Sequence, residues 1–208
     1  MVNFGTEDGM ASPTITNSTV AGNTVRALEG DEAGGAILNF ASSEGLAQPE
    51  ITNTILWSNS APAGPTVYND TSTADPAFSH SIVEGSAGSG SEWVDSLGTD
   101  NGSNLDQDPL FAAAAGPDGE WGTEDDGVRL QGPGSPVGAS PAIDAGDNGA
   151  LSSDVSEDLG GETRRQDVEN VDDTGSGSAP IVDIGAYESD GSTQVEYIAE
   201  SQTVDGDG

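Results

Sequence analysis

Three stretches of this chain are versions of one another, and a chain that repeats itself at this spacing has few folds open to it. Ser12 to Thr24 reads S-P-T-I-T-N-S-T-V-A-G-N-T, Gln48 to Ser60 reads Q-P-E-I-T-N-T-I-L-W-S-N-S, and Asp75 to Ser86 reads D-P-A-F-S-H-S-I-V-E-G-S. Pro13, Pro49 and Pro76 open the copies, Ile15, Ile51 and Phe78 follow, then Asn17, Asn53 and His80, then Val20, Leu56 and Val83. The offsets of 36 and 27 residues fall in the range of stacked solenoid units.

Each copy reads as strand, bend, strand. β-Branched residues alternate with Thr or Ser, the pattern of a half-buried strand. Asn, Asn and His at one position predict a recurrent left-handed bend, because Asn, Asp and His tolerate positive φ best. Stacked in register, the Asn side chains would bond from coil to coil. The expected fold is all-β: a right-handed parallel β-helix of three or four coils with an irregular C-terminal cap that shields the last coil's open edge.

Composition limits the partners. Of 208 residues, 37 are acidic and only four are basic, all Arg, for a formal charge of -33. Nucleic acid, which is bound by clustered Lys and Arg, is excluded, and an anionic membrane or polyuronate is repelled. Leu, Ile, Val and Phe together make up less than a fifth of the chain, a share that with this charge would by itself indicate disorder. The strand-like repeats argue for adaptation to strong salt instead, where a Debye length of about 3 Å at roughly molar ionic strength screens the carboxylates. The fold is therefore expected to weaken in dilute buffer, and equal strand content by circular dichroism in dilute and molar salt would count against this. Without cysteine there is neither disulfide nor thiolate site. No apolar run is long enough for direct membrane insertion.

The expected organisation is coils over 1–103, a closing region of the same domain over 104–188, and a flexible acidic tail over 189–208. Met1 to Ala11 reads as a loop or an incomplete coil, and Gly85 to Ser103 as a loop anchored by Trp93, Val94 and Leu97. The N-terminus lacks the basic and apolar regions of a signal peptide, so further coils are expected to precede it. An exposed first coil would offer a contact surface.

The closing blocks N-L-D-Q-D-P-L-F (104–111), G-P-D-G-E-W-G-T-E-D-D-G (116–127), S-P-A-I-D-A-G-D-N (140–148), D-L-G-G-E-T-R-R (158–165) and V-D-I-G-A-Y-E (182–188) resemble, in this order, the C-terminal part of secreted bacterial right-handed β-helix proteins of the choice-of-anchor Q or polymorphic outer-membrane-protein-like type. The I-T-N-T-I-L-W-S-N and G-G-A-I-L-N segments resemble the same family's coils. The resemblance spans roughly Ser12 to Glu188. It implies an extracellular or cell-surface solenoid and no particular reaction, because fold does not fix function. The acidic stretch from Asp167 to Ala179 departs from the family pattern as an insertion.

Hard cations take oxygen ligands on glycine-loosened loops, and Asp118, Asp125 and Asp126 have that form. They are the candidate calcium loop. Asp205-Gly206-Asp207-Gly208 resembles the start of another. A lyase needs a base and a groove tolerant of an anionic polymer. The four arginines do not supply this: Arg129 reads as a strand residue meeting nearby carboxylates, and Arg164-Arg165 as neutralising a loop. A glycoside hydrolase would draw on coil acids such as Asp75 or Glu84 at a defined separation. His80, the sole histidine, is better explained by the bend than as a base. Of Trp57, Trp93 and Trp121, at least Trp57 is expected to pack against a neighbouring coil. The expected function is a non-catalytic cell-surface or secreted structural and interaction module, ordered by calcium, whose partner is a polysaccharide or a cell-surface component. The alternative is a carbohydrate-active enzyme or carbohydrate-binding module.

Overall fold

In a computed structural model the repeats lie above one another in register. The structure describes residues 1–6, 8–26, 33–42, 44–121, 123 and 126–192. The strands are β1 (Val2–Gly5), β2 (Met10–Ala11), β3 (Thr14–Thr16), β4 (Thr19–Ala21), β5 (Ile37–Ala41), β6 (Leu46–Ala47), β7 (Glu50–Thr52), β8 (Ile55–Trp57), β9 (Val67–Asn69), β10 (Ala77–Ser79), β11 (Ile82–Val83), β12 (Thr99–Asp100), β13 (Phe111–Ala113) and β14 (Gly127–Leu130). Among the described residues there is no α-helix, only one 3-10 turn at Asp95–Leu97.

Four sheets are parallel, ordered β1-β5-β9, β2-β6, β12-β10-β7-β3 and β11-β8-β4. Ile15 pairs with Ile51 and Ile51 with Phe78, the alignment that the repeats predict. The bend is as expected: φ is 49° at Asn17, 51° at Asn53 and 43° at His80. The predicted Asn contact is the weakest of its kind, at 3.4 Å from Asn53 to Asn17. A stronger ladder runs elsewhere, with the Asn3 amide donating to Asn39 at 2.8 Å and Asn39 to Asn69 at 3.2 Å. Asn23 donates to Asn59 at 3.0 Å in a third. A buried amide whose partner is the same amide one coil away satisfies donor and acceptor together, which is why polar residues survive inside the stack.

The stack is longer at both ends than the repeats suggest. Met1 to Ala11 is no loop: β1 pairs with β5 from Val2↔Leu38 to Gly5↔Ala41, and β2 pairs with β6. Nor does the pattern stop after the third repeat. Thr99 and Asp100 pair with Ala77 and Phe78, and Leu105 bridges Ile82. Between partners in β12-β10-β7-β3 the chain travels 36, then 27, then 22 residues. The inward-facing cluster contains Ile37, Ile51, Leu56, Val67, Phe78, Val83 and Trp93. Phe78 is fully buried against the Trp93 ring at 5.8 Å. Val94, expected to anchor the loop, is exposed.

The closing region is not a cap over the last coil. Sheet β11-β8-β4 is apolar on both faces: Leu56 and Val83 face inward, whereas Ile55 and Ile82 join a second cluster with Phe111, Leu130, Ala142, Ile143, Val168 and Ile184. A sheet with two apolar faces must be covered on both, and residues from 109 onward lie along its outer side. They reach the first coil, where Ala186 N–H donates to Thr19 Oγ1 at 3.1 Å, and the second, where Gly185 N–H donates to the Asn53 carbonyl at 2.9 Å. Trp121 sits on Gly22, where a Cβ would strike its ring. Apart from the antiparallel pair β13-β14, this region is turns and bridges. Ser189, placed in the tail by its sequence, is buried and donates its N–H to Asp183 at 2.7 Å. Residues 193–208 lie outside the described residues.

Candidate metal centre

A region with only one short sheet has to satisfy much of its backbone by other means, and here carboxylates do it. Asp183, fully buried in I-V-D-I-G, accepts the N–H of Asp144 at 2.8 Å and that of Ser189 at 2.7 Å. Asp158 accepts from Gly160, Glu162 and Glu188 at 2.7, 2.8 and 2.8 Å. Glu188 binds Arg164 at 2.9 Å with both side chains buried. Arg164 also donates to the carbonyls of Gly185 and Ala186. It is thus a buried tie between the blocks rather than a loop neutraliser. Arg129 is a strand residue of β14, as expected; its guanidinium carbon lies 4.5 Å from the centroid of the Tyr187 ring, and after the Ser192 bonds its charge helps hold Asp190 below the usual carboxyl range.

Asp144 differs from its neighbours. It sits in the block S-P-A-I-D-A-G at φ 53°, a left-handed conformation that Asp tolerates better than most residues. Its backbone is fully used: the N–H goes to Asp183, and the carbonyl accepts from Thr174 at 2.9 Å and Gly175 at 3.0 Å. Its side chain is not. Asp144 is fully buried; Oδ2 accepts a long bond from Val168 N–H at 3.4 Å, and Oδ1 has no partner. An oxygen of Asp144 and one each from Asp167 and Asp173 all lie within 4.8 Å of one another, so the three could hold one metal ion. Asp167 and Asp173 are exposed. They come from the acidic stretch Asp167 to Ala179, folded back against Asp144 where Gly175 passes the Gly146 carbonyl too closely for a side chain.

Electrostatics follow from this packing. Burial pushes the Asp144 carboxyl up to about 6, helped by the charges of Asp173 and Asp167 and opposed by the Val168 N–H. Burial also raises Asp183 well above the ordinary Asp value, with the Glu188 charge adding to it. Glu188 is raised because its burial outweighs the Arg164 contact. Of the acids that resist ionisation, Asp144 alone belongs to the group of three, and its burial, its partnerless Oδ1 and the two nearby carboxylates make a site that a cation would relieve.

The acids expected to bind calcium are elsewhere. Asp118 is exposed and accepts the Glu120 N–H at 2.8 Å, closing a turn, and Asp126 accepts the Thr123 N–H at 3.2 Å. Asp125 and the terminal Asp205 to Gly208 lie outside the described residues. Among the described residues the group of three that could share an ion is Asp144, Asp167 and Asp173. A lone Asp inside an apolar block is the sequence signal that could have found its buried member.

The residues considered for hydrolysis are separately engaged. Glu84 accepts the Ser58 N–H at 2.7 Å, and Asp75 accepts from Thr99 at 3.1 Å. His80 holds the bend, with its N–H on the Gly102 carbonyl. Trp57 and Trp121 pack in the outer cluster and Trp93 in the inner one. A cleft of about 410 Å³ is lined by Asp75, Trp93, Asp95 and Asp100. Burial pushes Asp100 up, but bonds from Ser89, Gly90, Gly102 and Asn104 outweigh it and hold the carboxyl below its usual range.

Comparison with protein-family models, with curated proteins and with solved structures finds no match to this chain.

Proposed function

We propose that this chain is a right-handed parallel β-helix of the choice-of-anchor Q type, acting as a non-catalytic, secreted or cell-surface structural and interaction module in a salt-rich setting, with calcium as its ordering cation. The observation that carries the reading is the partnerless Oδ1 of buried Asp144 facing two further carboxylates. An all-oxygen donor set of three acids suits a hard cation, and calcium tolerates the irregular geometry of a turn-built loop better than magnesium does. Beside the candidate loop of Asp118, Asp125 and Asp126, of which Asp125 lies outside the described residues, calcium has in this reading a second candidate site at Asp144, Asp167 and Asp173. Parallel ladders in unbroken register support the β-helix. Its partner in this reading is a polysaccharide or a cell-surface component.

The carbohydrate-active reading has one observation in its favour, the acidic cleft beside Trp93. It is the weaker reading because Asp100 is held in the ionised form that a general acid must avoid. Trp93, only 8% exposed, spends its N–H on the Gly98 carbonyl at 2.7 Å and offers no face for a sugar. Glycan-array binding followed by an assay for reducing-sugar release separates the two. Binding without release is expected; release that is lost in Asp100→Asn would overturn the non-catalytic reading. Calorimetric titration with calcium chloride in molar KCl is expected to show one site per chain.

A further inference from the structure

The acidic stretch 166–180 contains Asp167, Glu169, Asp172 and Asp173 with no Lys or Arg. It lies against a buried carboxylate of the same sign. Its backbone is tied to the 144–148 segment by the N–H groups of Thr174 and Gly175 on the Asp144 carbonyl, of Ser176 on the Gly146 carbonyl, and by the Asn148 N–H on the Ser176 carbonyl, while Val171 bonds Val168 within it. The Asn148 amide holds its far end, donating to the carbonyls of Ser178 and Pro180 at 2.8 and 3.0 Å. The segment it leans on is bound to the stack. Asp147 N–H donates to Asn53 Oδ1 at 2.7 Å, and the Asn53 amide returns a bond to the Asp147 carbonyl at 3.0 Å. A continuous path therefore runs from the bend of the second coil through residues 147 to 144 into the acidic loop. At its end is Asp144 Oδ1, fully buried and without a partner.

Resting on the calcium reading above, we infer that the bound cation is a clasp: it joins Asp167 and Asp173 to Asp144, and so fastens the 166–180 loop to the segment docked on the second coil. Like charges this close repel unless a counter-ion stands between them. Cation binding and loop docking are then one equilibrium, and calcium stabilises the docked form by mass action.

Two readouts on the full chain in molar KCl separate the clasp from the site itself: calorimetric calcium binding, and the rate of cleavage within 166–180 by an acid-tolerant protease, with magnesium chloride as the control ion. Wild type is expected to bind one calcium and to be cut in the loop at least tenfold more slowly at saturation, with magnesium protecting less. Asp173→Asn alters an exposed residue, so the fold is retained. It should weaken calcium binding by roughly tenfold or more and shift protection to correspondingly higher calcium. Asp144→Asn should abolish both effects, with circular dichroism reporting whether the coils persist. Calcium binding with no change in loop cleavage would overturn the clasp and leave the calcium reading standing. The absence of binding, or binding unchanged in Asp173→Asn and Asp144→Asn alike, would overturn both.

Discussion

The coil stack and the closing region lie side by side and are held together by opposite means. In the coils, backbone ladders do the joining, and the buried polar side chains are neutral, among them amides that pair with their own kind one coil away, as Asn3, Asn39 and Asn69 do. In the closing region ladders are few, and the polar interior is ionic, built on Asp144, Asp158, Arg164, Asp183 and Glu188. Periodic structure can use neutral groups because the same partner recurs at every step. Irregular structure must bring specific acceptors to scattered N–H groups, and a carboxylate accepting two or three of them does so strongly. The two regions share one wall, the sheet β11-β8-β4, with Leu56 on one side and Ile55 on the other.

The difference predicts how each region fails. Phe78→Ala empties the middle of the stack and should cost about 4 kcal/mol. Because the shared wall goes with it, both regions should unfold in one urea transition, and two separate transitions would break the comparison. Arg164→Ala leaves Glu188 buried without its cation, at about 3 kcal/mol. Here the closing region should loosen first, seen as faster amide exchange at 140–190 while the coil amides stay protected. Asn39→Ala severs both steps of its ladder and leaves the Asn3 amide only its bond to the Ala11 carbonyl, for about 2 kcal/mol, with exchange rising in β1 and β9 and unchanged around Arg164.

The smallest effect is in pH. Asp144, raised to about 6, and the likewise raised Asp183 and Glu188 hold protons more tightly folded than unfolded. The contribution of Asp144 is thus complete below the ordinary carboxyl value and lost as pH rises through about 6, and those of Asp183 and Glu188 run in the same direction. In chelator-treated samples, urea midpoints should rise as pH falls from 7 toward 5, and the rise should be smaller in Asp144→Asn.

Legibility in the sequence divides along the same line. The bend at Asn17, Asn53 and His80 and the inward positions Ile51, Leu56 and Phe78 were readable because periodic structure repeats its residues. The opening strand of the first coil was not, because V-N-F-G carries no proline or bend residue to align with the later copies, and its Asn3 gains meaning only beside Asn39. Thr99-Asp100 lacks the apolar residue that marks the other rungs. The outward role of Ile55 was hidden, since period two cannot say that both faces of a strand are covered. Asp118, Asp125 and Asp126 drew attention as a glycine-flanked run. Asp144, Asp167 and Asp173 are joined only by a chain reversal, and in a chain with 37 acids sequence offers no means of picking out those three.

The shortening step between successive rungs, 36 to 27 to 22 residues, has a practical corollary. Pairing stays in register while the intervening corners change length freely, so corners and lattice are separate modules. A foreign peptide spliced between Ala61 and Pro62, inside the bridges that Ser60 and Ala63 make to the neighbouring coil, would be displayed at a fixed height on the stack. Two such grafts on successive corners would stand one strand spacing apart, about 4.8 Å, which makes the molecule a ruler for presenting epitopes.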